Sequence, residues 1–113
     1  MCGIAGYIGT SPLDEHFEAA ALDAMQQRGP DHRAIFRYRD DDFFVSLLHA
    51  RLSIIDLDPR SNQPFTLAGR TLVFNGEIYN YLELAQNLKN KGVVLNTSSD
   101  TEVLLHYYLL YGE

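Results

Sequence analysis

Hydrophobic and polar positions along the chain predict several short strands and three helices. The small, apolar segment 3–9 (GIAGYIG) has no strict alternation, which predicts a strand buried on both faces. Residues 33–38 and 43–50 predict two more strands, and the acidic turn Asp40-Asp41-Asp42 between them predicts a hairpin. Further along, the pattern predicts an irregular loop at 56–65 and strands at 70–75 and 93–96.

Three segments carry apolar residues at helical spacing. The first follows Ser11-Pro12, which has the pattern of a cap and a first-turn proline, and Gly29-Pro30 ends it. The second covers about 81–91, with Gly92 beyond its end, and the third opens at the capping-box pattern Ser99-x-x-Glu102. Because hairpin-like strands mix with helices instead of alternating regularly with them, we predict an α+β layered domain.

Length, charge and cysteine content narrow the class of protein. The 113 residues, 46% of them hydrophobic, suffice for one domain or part of a larger one. A net charge of -6 with scattered basic residues argues against a nucleic-acid partner. No apolar run approaches the roughly 20 residues of a membrane span, and no secretion signal is present, so we expect a cytoplasmic protein without a membrane partner. The four histidines lack zinc-ligand spacing, so we expect no metal site.

Cys2 is the only cysteine and directly follows Met1. Removal of Met1, which is favoured when the second residue is small, would leave Cys2 with a free α-amine. That amine can accept the thiol proton, so one residue would supply both nucleophile and base without a histidine partner. Position alone leaves open the alternative that Cys2 is an ordinary small hydrophobic residue at the start of a strand.

The segment FNGEIYN, residues 74–80, offers hydrogen-bond donors for negative charge that develops in acyl transfer. The side-chain amide of Asn75 and the backbone N–H of Gly76 can both donate to an attacked carbonyl oxygen. An isolated Asn-Gly pair is more often a type I′ hairpin turn. Here a helix pattern follows it, where a hairpin would need a partner strand.

Two further segments carry charges suited to a zwitterionic substrate. Arg51, at the end of the strand in HARLSIID, can hold a carboxylate through its fork of donors, although a surface salt bridge is its commoner use. Asp100, in SSDTE, can receive an ammonium group, or can simply favour the start of a helix. We interpret RGPD, residues 28–31, as a turn without chemistry and His49 as a packed or capping histidine.

Taken together and in order, five motifs resemble those of the class II glutamine amidotransferases, most closely the glutaminase domain of asparagine synthetases. The motifs are MCGIAGYIG, RGPD, HARLSIIDL with NQPF, FNGEIYN and SSDTEV, and they run from residue 1 to the end of the chain. The resemblance implies the N-terminal-nucleophile hydrolase fold, an αββα sandwich of antiparallel sheets between helical layers. Because family members have a glutaminase domain nearly twice as long, we expect residues 1–113 to be its N-terminal portion, truncated at the C-terminal side.

The resemblance also implies a role for each candidate residue. Cys2 is the nucleophile and its own α-amine the base, while Asn75 and Gly76 form the oxyanion hole. Arg51 binds the α-carboxylate of glutamine, and the α-ammonium is held by an acidic pair, Glu77 and Asp100. The implied reaction hydrolyses glutamine to glutamate and ammonia through a Cys2 thioester.

Partners and cofactors follow from the same resemblance. We expect glutamine as substrate and no cofactor in this domain, with ATP and Mg used only by a synthetase domain that receives the ammonia and lies outside this chain. A second copy of the chain, as a homodimer, is a further candidate partner. Two alternatives stay open, namely a catalytically silent binding module and a related hydrolase that acts on another amide. A chain that keeps Met1 should be inactive, because an acylated Cys2 nitrogen is not a base.

Overall fold

A computed structural model describes residues 1–113, which form two antiparallel sheets and three α-helices. The α+β class is therefore confirmed. None of the helices is long and apolar enough to cross a membrane. In chain order the elements are β1 (Gly3–Gly9), α1 (Glu15–Ala24), β2 (His32–Arg39), β3 (Phe44–Arg51), a 3-10 turn (Pro59–Ser61), β4 (Phe65–Leu67), β5 (Arg70–Leu72), α2 (Tyr81–Asn90) and α3 (Asp100–Tyr111).

The larger sheet has three antiparallel strands in the order β1-β3-β2. The predicted hairpin is confirmed, since β2 and β3 pair from His32 opposite Arg51 to Arg39 opposite Phe44. On the other side of β3, the chain's first strand pairs with Gly3 opposite Ala50. This register brings the N-terminus to the end of β3, directly beside Arg51.

The prediction that segment 3–9 is buried on both faces is wrong. β1 is an edge strand, and Ile4 and Ile8 are 46% and 69% exposed on one of its faces. On the opposite face, a Cβ added at Gly3 would lie 2.8 Å from the Cβ of Met25. Gly3 therefore permits close packing of the residue that follows α1, and it does not indicate burial on both sides.

The first helix exists as predicted, but it begins later in the chain. Asp14 is its N-cap, and its Oδ1 accepts a hydrogen bond from the backbone N–H of His16 at 2.7 Å. Ser11-Pro12 lies before the helix, so its predicted role as cap and first turn is wrong. The carboxylate of Asp14 satisfies one of the N–H groups that a helix start leaves without an intrahelical partner.

A buried carboxylate fastens α1 to the sheet. Glu18 is 1% exposed, and its side chain accepts hydrogen bonds from Ser46 Oγ on β3 at 2.6 Å and from Arg37 Nε on β2 at 2.9 Å. The hydrogen bond from Arg37 lowers the pKa of Glu18, while burial opposes the shift. A charged group out of water is tolerated here because both of its oxygens are hydrogen-bonded.

The second half of the chain contains a small hairpin and two packed helices. β4 and β5 pair antiparallel, so the strand predicted at 70–75 is shorter than expected and its partner was not predicted. The predicted strand at 93–96 is wrong, because the Glu102 carboxylate accepts from the backbone N–H groups of Asn96 and Thr97 in a turn. Glu102 therefore does not complete a capping box with Ser99, although Ser99 does cap α3 by accepting from Thr101 N.

α2 and α3 match the predicted helices and pack against each other. Gly92 follows α2 with φ +85, a left-handed conformation that glycine adopts without strain. Leu88 of α2 and Val103 and Leu105 of α3 are buried and form the apolar contact of this half. Leu48 and Ala50 are the buried apolar residues of β3 in the other half.

The RGPD turn lies against the end of β3. A Cβ added at Gly29 would lie 2.1 Å from the carbonyl oxygen of Ala50, so only glycine allows this approach of two backbones. Asp31 adds a backbone hydrogen bond to Arg51 O at 2.9 Å, and its side chain accepts from Ser53 N at 2.7 Å. The turn thus fixes the backbone on both sides of Arg51.

Replacing Glu18 with glutamine should destabilise the protein by roughly 1–2 kcal/mol at neutral pH, since the ionised acceptor is lost but Arg37 is partly solvated. Because the pKa of Glu18 is lower in the native state, its ionised side chain stabilises the fold fully above about pH 4.5, the ordinary glutamate pKa. This stabilisation is lost as the pH falls through the lower native pKa. Urea unfolding across pH 3–7 should therefore show the E18Q deficit shrinking at low pH. Glu83→Gln, at an exposed site, is the control, and an equal deficit in both variants would contradict this account.

Gly29→Ala should destabilise the protein by about 2 kcal/mol or more, because the new methyl group meets backbone that cannot move cheaply. Gly6→Ala is a matched control, since its Cβ would be 3.5 Å from the nearest atom, a Leu47 methyl, in ordinary contact. Thermal unfolding of both variants measures the difference. Equal melting temperatures would show that the close approach at Gly29 is not a packing constraint.

Candidate functional site

A cavity of about 330 Å³ opens where the end of β3 meets the loop after β5 and the start of α3. Every residue to which the sequence analysis assigns a role lines this one cavity: Cys2, Arg51, Asn75, Gly76, Glu77 and Asp100. They come from four separate segments of the chain, which the antiparallel pairing of β1 with β3 and the packing of α3 bring together. The grouping places these residues in one site, while the chemical role of each member stays a prediction.

Cys2 immediately precedes β1, and its half-buried thiol rests on the backbone that follows β3. Its Sγ accepts from Leu52 N at 3.4 Å and lies 3.7 Å from Leu52 O, to which the thiol can donate. Arg28 Nε donates to the carbonyl oxygen of Cys2 at 3.3 Å. The bond from Leu52 to the thiol and the bond from Arg28 to the carbonyl oxygen thus hold Cys2 at the cavity wall.

Met1 also lines the cavity and is 74% exposed. With Met1 attached, the nitrogen of Cys2 belongs to a peptide bond and has no basic lone pair. Removal of Met1 would turn that nitrogen into an amine and would enlarge the opening beside the thiol. The arrangement therefore becomes chemically competent for an N-terminal nucleophile only in the processed chain.

Asn75, Gly76 and Glu77 lie in the loop between β5 and α2 and are exposed to solvent. The turn of the β4–β5 hairpin is formed by Ala68 and Gly69 and not by Asn75-Gly76, so the hairpin-turn alternative for FNGEIYN is wrong. No hydrogen bond within the chain occupies the side chains of Asn75 and Glu77. Both remain available to a molecule in the cavity.

Gln63 supports this loop, and the sequence analysis assigned it no role. It is buried, its Oε1 accepts from Phe74 N at 2.5 Å, and its Nε2 donates to Thr101 Oγ1 at 3.2 Å. The side chain therefore joins the start of FNGEIYN to the first turn of α3. NQPF was among the motifs that carried the resemblance, but spacing alone does not reveal that a glutamine spans two walls of a cavity.

Asp100 is the first residue of α3 and is buried. Its Oδ2 accepts from Ile78 N at 3.1 Å, while the neighbouring Ser99 supplies the helix cap. Ser99 therefore supplies the cap that the helix-start interpretation of SSDTE expects, while Asp100 lines the cavity and its role in receiving an ammonium group stays a prediction. A carboxylate at this place can attract an ammonium group.

Arg51 is 5% exposed and has no carboxylate within ion-pairing distance, so the alternative of a surface salt bridge is wrong. Its donors are used by the following loop. Nη1 donates to Asn62 Oδ1 at 2.6 Å and to Asp58 O at 3.3 Å, while Nη2 donates to Ile55 O at 3.3 Å and to Asp56 O. The guanidinium thus holds the loop without a direct ion pair, and its positive charge at the cavity favours an anionic ligand.

His49 is packed, as the sequence analysis expected. It is fully buried on β3, neither ring nitrogen has a hydrogen-bond partner, and burial lowers its pKa to about 4. The backbone of Phe74 opposes this shift, and the positive charge of Arg51 adds to it. His49 does not line the cavity, and its low pKa makes the ring a weak proton acceptor, so it is not placed to act as the base for Cys2. No group of three or more His, Cys, Asp or Glu side chains is arranged to hold a metal ion.

Comparison with known proteins identifies the family of the chain. The chain matches the glutamine amidotransferase domain over residues 1–113. It is 40% identical over 120 residues to glutamine-hydrolysing asparagine synthetase 1 of Bacillus subtilis, covering 100% of this chain and 18% of that protein. A putative glutamine-hydrolysing asparagine synthetase 2 of Methanocaldococcus jannaschii is 35% identical over 130 residues, covering 99% of this chain and 24% of that protein.

A relative that is named as an amidase also matches nearly the whole chain. Amidase chry2 of Gibberella zeae is 38% identical over 131 residues, covering 99% of this chain and 18% of that protein. The chain thus spans between 18% and 24% of the lengths of these three relatives. It belongs to the class II glutamine amidotransferase domain family and is homologous to the N-terminal domain of asparagine synthetases.

Proposed function

We propose that this chain carries the glutaminase centre of an amidotransferase and hydrolyses the side-chain amide of glutamine to glutamate and ammonia through a Cys2 thioester. The observation that carries the proposal is the cavity in which a thiol, unoccupied amide donors and charges of both signs meet. Membership of the glutamine amidotransferase family supports glutamine as the substrate. The acceptor of the ammonia would lie in the remainder of a longer protein.

The reaction begins when the α-amine of processed Cys2 takes the thiol proton. The thiolate attacks the δ-carbonyl of glutamine, and the side-chain amide of Asn75 with the N–H of Gly76 donates to the oxyanion. The protonated amine then gives its proton to the departing ammonia, leaving a γ-glutamyl thioester on Sγ. Water, activated by the same amine, attacks the thioester and releases glutamate, which restores the thiol.

Glutamine would be oriented by its charged end. Arg51 attracts the α-carboxylate through its positive charge, although most of its donors already serve acceptors of the loop. Asp100, next to Ile78 N, and the unoccupied Glu77 receive the α-ammonium. We refer to Arg51, Glu77 and Asp100 as the substrate clamp.

The clamp supports a specific glutaminase over a general amide hydrolase. A site whose charged groups lose their partners with a neutral amide discriminates strongly against it, because unpaired buried charges are costly. Arg51 and Asp100 are charged groups of this kind, because both are buried.

The wider context is also a proposal. We infer that the α+β portion described here contributes one side of an αββα sandwich, to which a longer chain adds the remaining strands. An asparagine-synthetase-like domain that binds ATP and Mg would then use the ammonia, as the names of several relatives suggest. Another relative is named as an amidase, so hydrolysis of a different amide by the same centre is the alternative.

The exposed Met1 at the cavity favours a second candidate function for the unprocessed chain, namely a catalytically silent module.

A protein made with a cleavable N-terminal extension separates the two functions. Glutamine hydrolysis should be at background before cleavage and should appear once cleavage leaves Cys2 as the first residue. Cleaved Cys2→Ala should stay at background, a loss on the order of 10³-fold or more. Equal rates before and after cleavage would contradict the amine as base.

The clamp is tested with substrates and with Glu77. A simple neutral amide should have a kcat/KM on the order of 10⁴-fold below that of glutamine, measured by ammonia release, because the clamp charges are left unpaired. Glu77→Gln should raise KM for glutamine several-fold without loss of stability, since Glu77 is exposed and unbonded. Glu83→Gln is the matched control. Comparable efficiency with the neutral amide would remove the clamp assignment.

A further inference from the structure

We propose that Asp56 is a positioning residue that holds the two halves of the substrate clamp, Arg51 and Asp100, at a fixed separation and so sets the affinity for the amino-acid end of the substrate. The inference rests on the proposed glutaminase function and deepens it. Asp56 itself is not among the residues that line the cavity, so its effect is exerted through the residues it binds.

Asp56 bonds to Arg51 and to the turn that precedes Asp100. Its carbonyl oxygen accepts from Arg51 Nη2, which ties it to the cationic half. Its Oδ2 accepts from the backbone N–H of Ser98 at 2.7 Å, a contact between residues 42 positions apart. Ser98 lies two residues before Asp100, so the same residue reaches the start of the anionic half.

The remaining contacts fix the conformation of Asp56 within its own loop. Oδ2 also accepts from Ser61 Oγ at 2.6 Å, and Oδ1 accepts from Asp58 N at 3.0 Å. The backbone of Asp56 has φ 52, in the left-handed region that aspartate and asparagine enter more readily than most residues. Such a conformation persists where surrounding contacts over-determine it, and here the side chain supplies three of them.

The charge on Asp56 strengthens this bridge. The hydroxyl of Ser61, followed by the backbone N–H groups of Ser98 and Asp58 and the charge of Arg51, holds the pKa of Asp56 below its usual range against the effect of burial. The group is therefore a carboxylate at neutral pH, and hydrogen bonds to an ionised acceptor are stronger than neutral ones.

Loss of this bridge should loosen the clamp without unfolding the protein. The Ser98 N–H has no partner other than Asp56, so the turn before α3 would be released from the Arg51 loop. A second, independent link remains, because Gln63 donates to Thr101 on the first turn of α3. The thiol of Cys2 is held by Leu52 and does not depend on Asp56.

The test compares Asp56→Asn with Asp58→Asn in the processed, full-length protein. Asparagine keeps the left-handed backbone and one acceptor oxygen but replaces the other with a donor. The control makes the same substitution two residues away, at a partly exposed residue whose side chain bonds to Arg60. KM and kcat for glutamine, protection of Cys2 from iodoacetamide by glutamate, and the melting temperature are measured for each.

D56N should raise KM for glutamine by about 10- to 100-fold and weaken glutamate protection by a similar factor, with kcat within about threefold of wild type. Iodoacetamide carries no amino-acid charges, so its rate with unprotected Cys2 should not change. A merely structural role would lower kcat and thiol reactivity together and leave KM near that of D58N, and this result would overturn the proposal.

Ser61→Ala provides the second variant, because it removes one bond to Oδ2 while leaving Asp56 in place. If D56N melts below the assay temperature, the KM of S61A for glutamine tests the proposal instead. We expect that KM to rise about threefold or more, and an unchanged KM would overturn the proposal. Wild-type protein that neither hydrolyses glutamine nor is protected by glutamate would remove the glutaminase function and this inference together. Normal wild-type activity with unchanged KM in the variants would remove the inference alone.

Discussion

The antiparallel pairing of β1 with β3 is the constraint on which the site depends. Because Gly3 lies opposite Ala50, the residue before β1 meets the residue that ends β3, and Cys2 comes to rest beside Arg51 and Leu52. A shift of the register by one residue would turn every side chain of β1 to the other face. The side chain of Cys2 would then leave the cavity, whatever the rest of the chain did.

Arg51 brings a positive charge to this local geometry. A buried guanidinium is costly unless its donors are satisfied, and here loop carbonyls and Asn62 satisfy both Nη groups without a direct ion pair. The loop is therefore folded around the cation, while the positive charge remains for an anionic partner. Asp56 extends the same arrangement to the start of α3, so the cationic and anionic walls are built as one unit.

Local patterns predicted those parts of the fold whose signals are local. The β2–β3 hairpin, α2 and α3 were found because alternation, helical spacing and caps lie within one segment. Burial of β1 was misjudged, since small residues such as Gly3 indicate a close neighbour without saying on which face. The strand predicted at 93–96 does not form, because the carboxylate of Glu102, further along the chain, accepts hydrogen bonds from the backbone N–H groups of Asn96 and Thr97. The candidate residues came from ordered motifs, whereas the bridging contacts of Gln63 and Asp56 depend on side chains that meet only in three dimensions.

We propose that Cys2, freed of Met1, is the nucleophile of this cavity. A glutamine analogue that carries an electrophilic ketone in place of the amide tests this directly, followed by intact-protein and peptide mass spectrometry. We expect one equivalent bound to Cys2, only in chains that begin with Cys2, and protection by excess glutamine. Labelling of another residue, or equal labelling of chains that keep Met1, would contradict it.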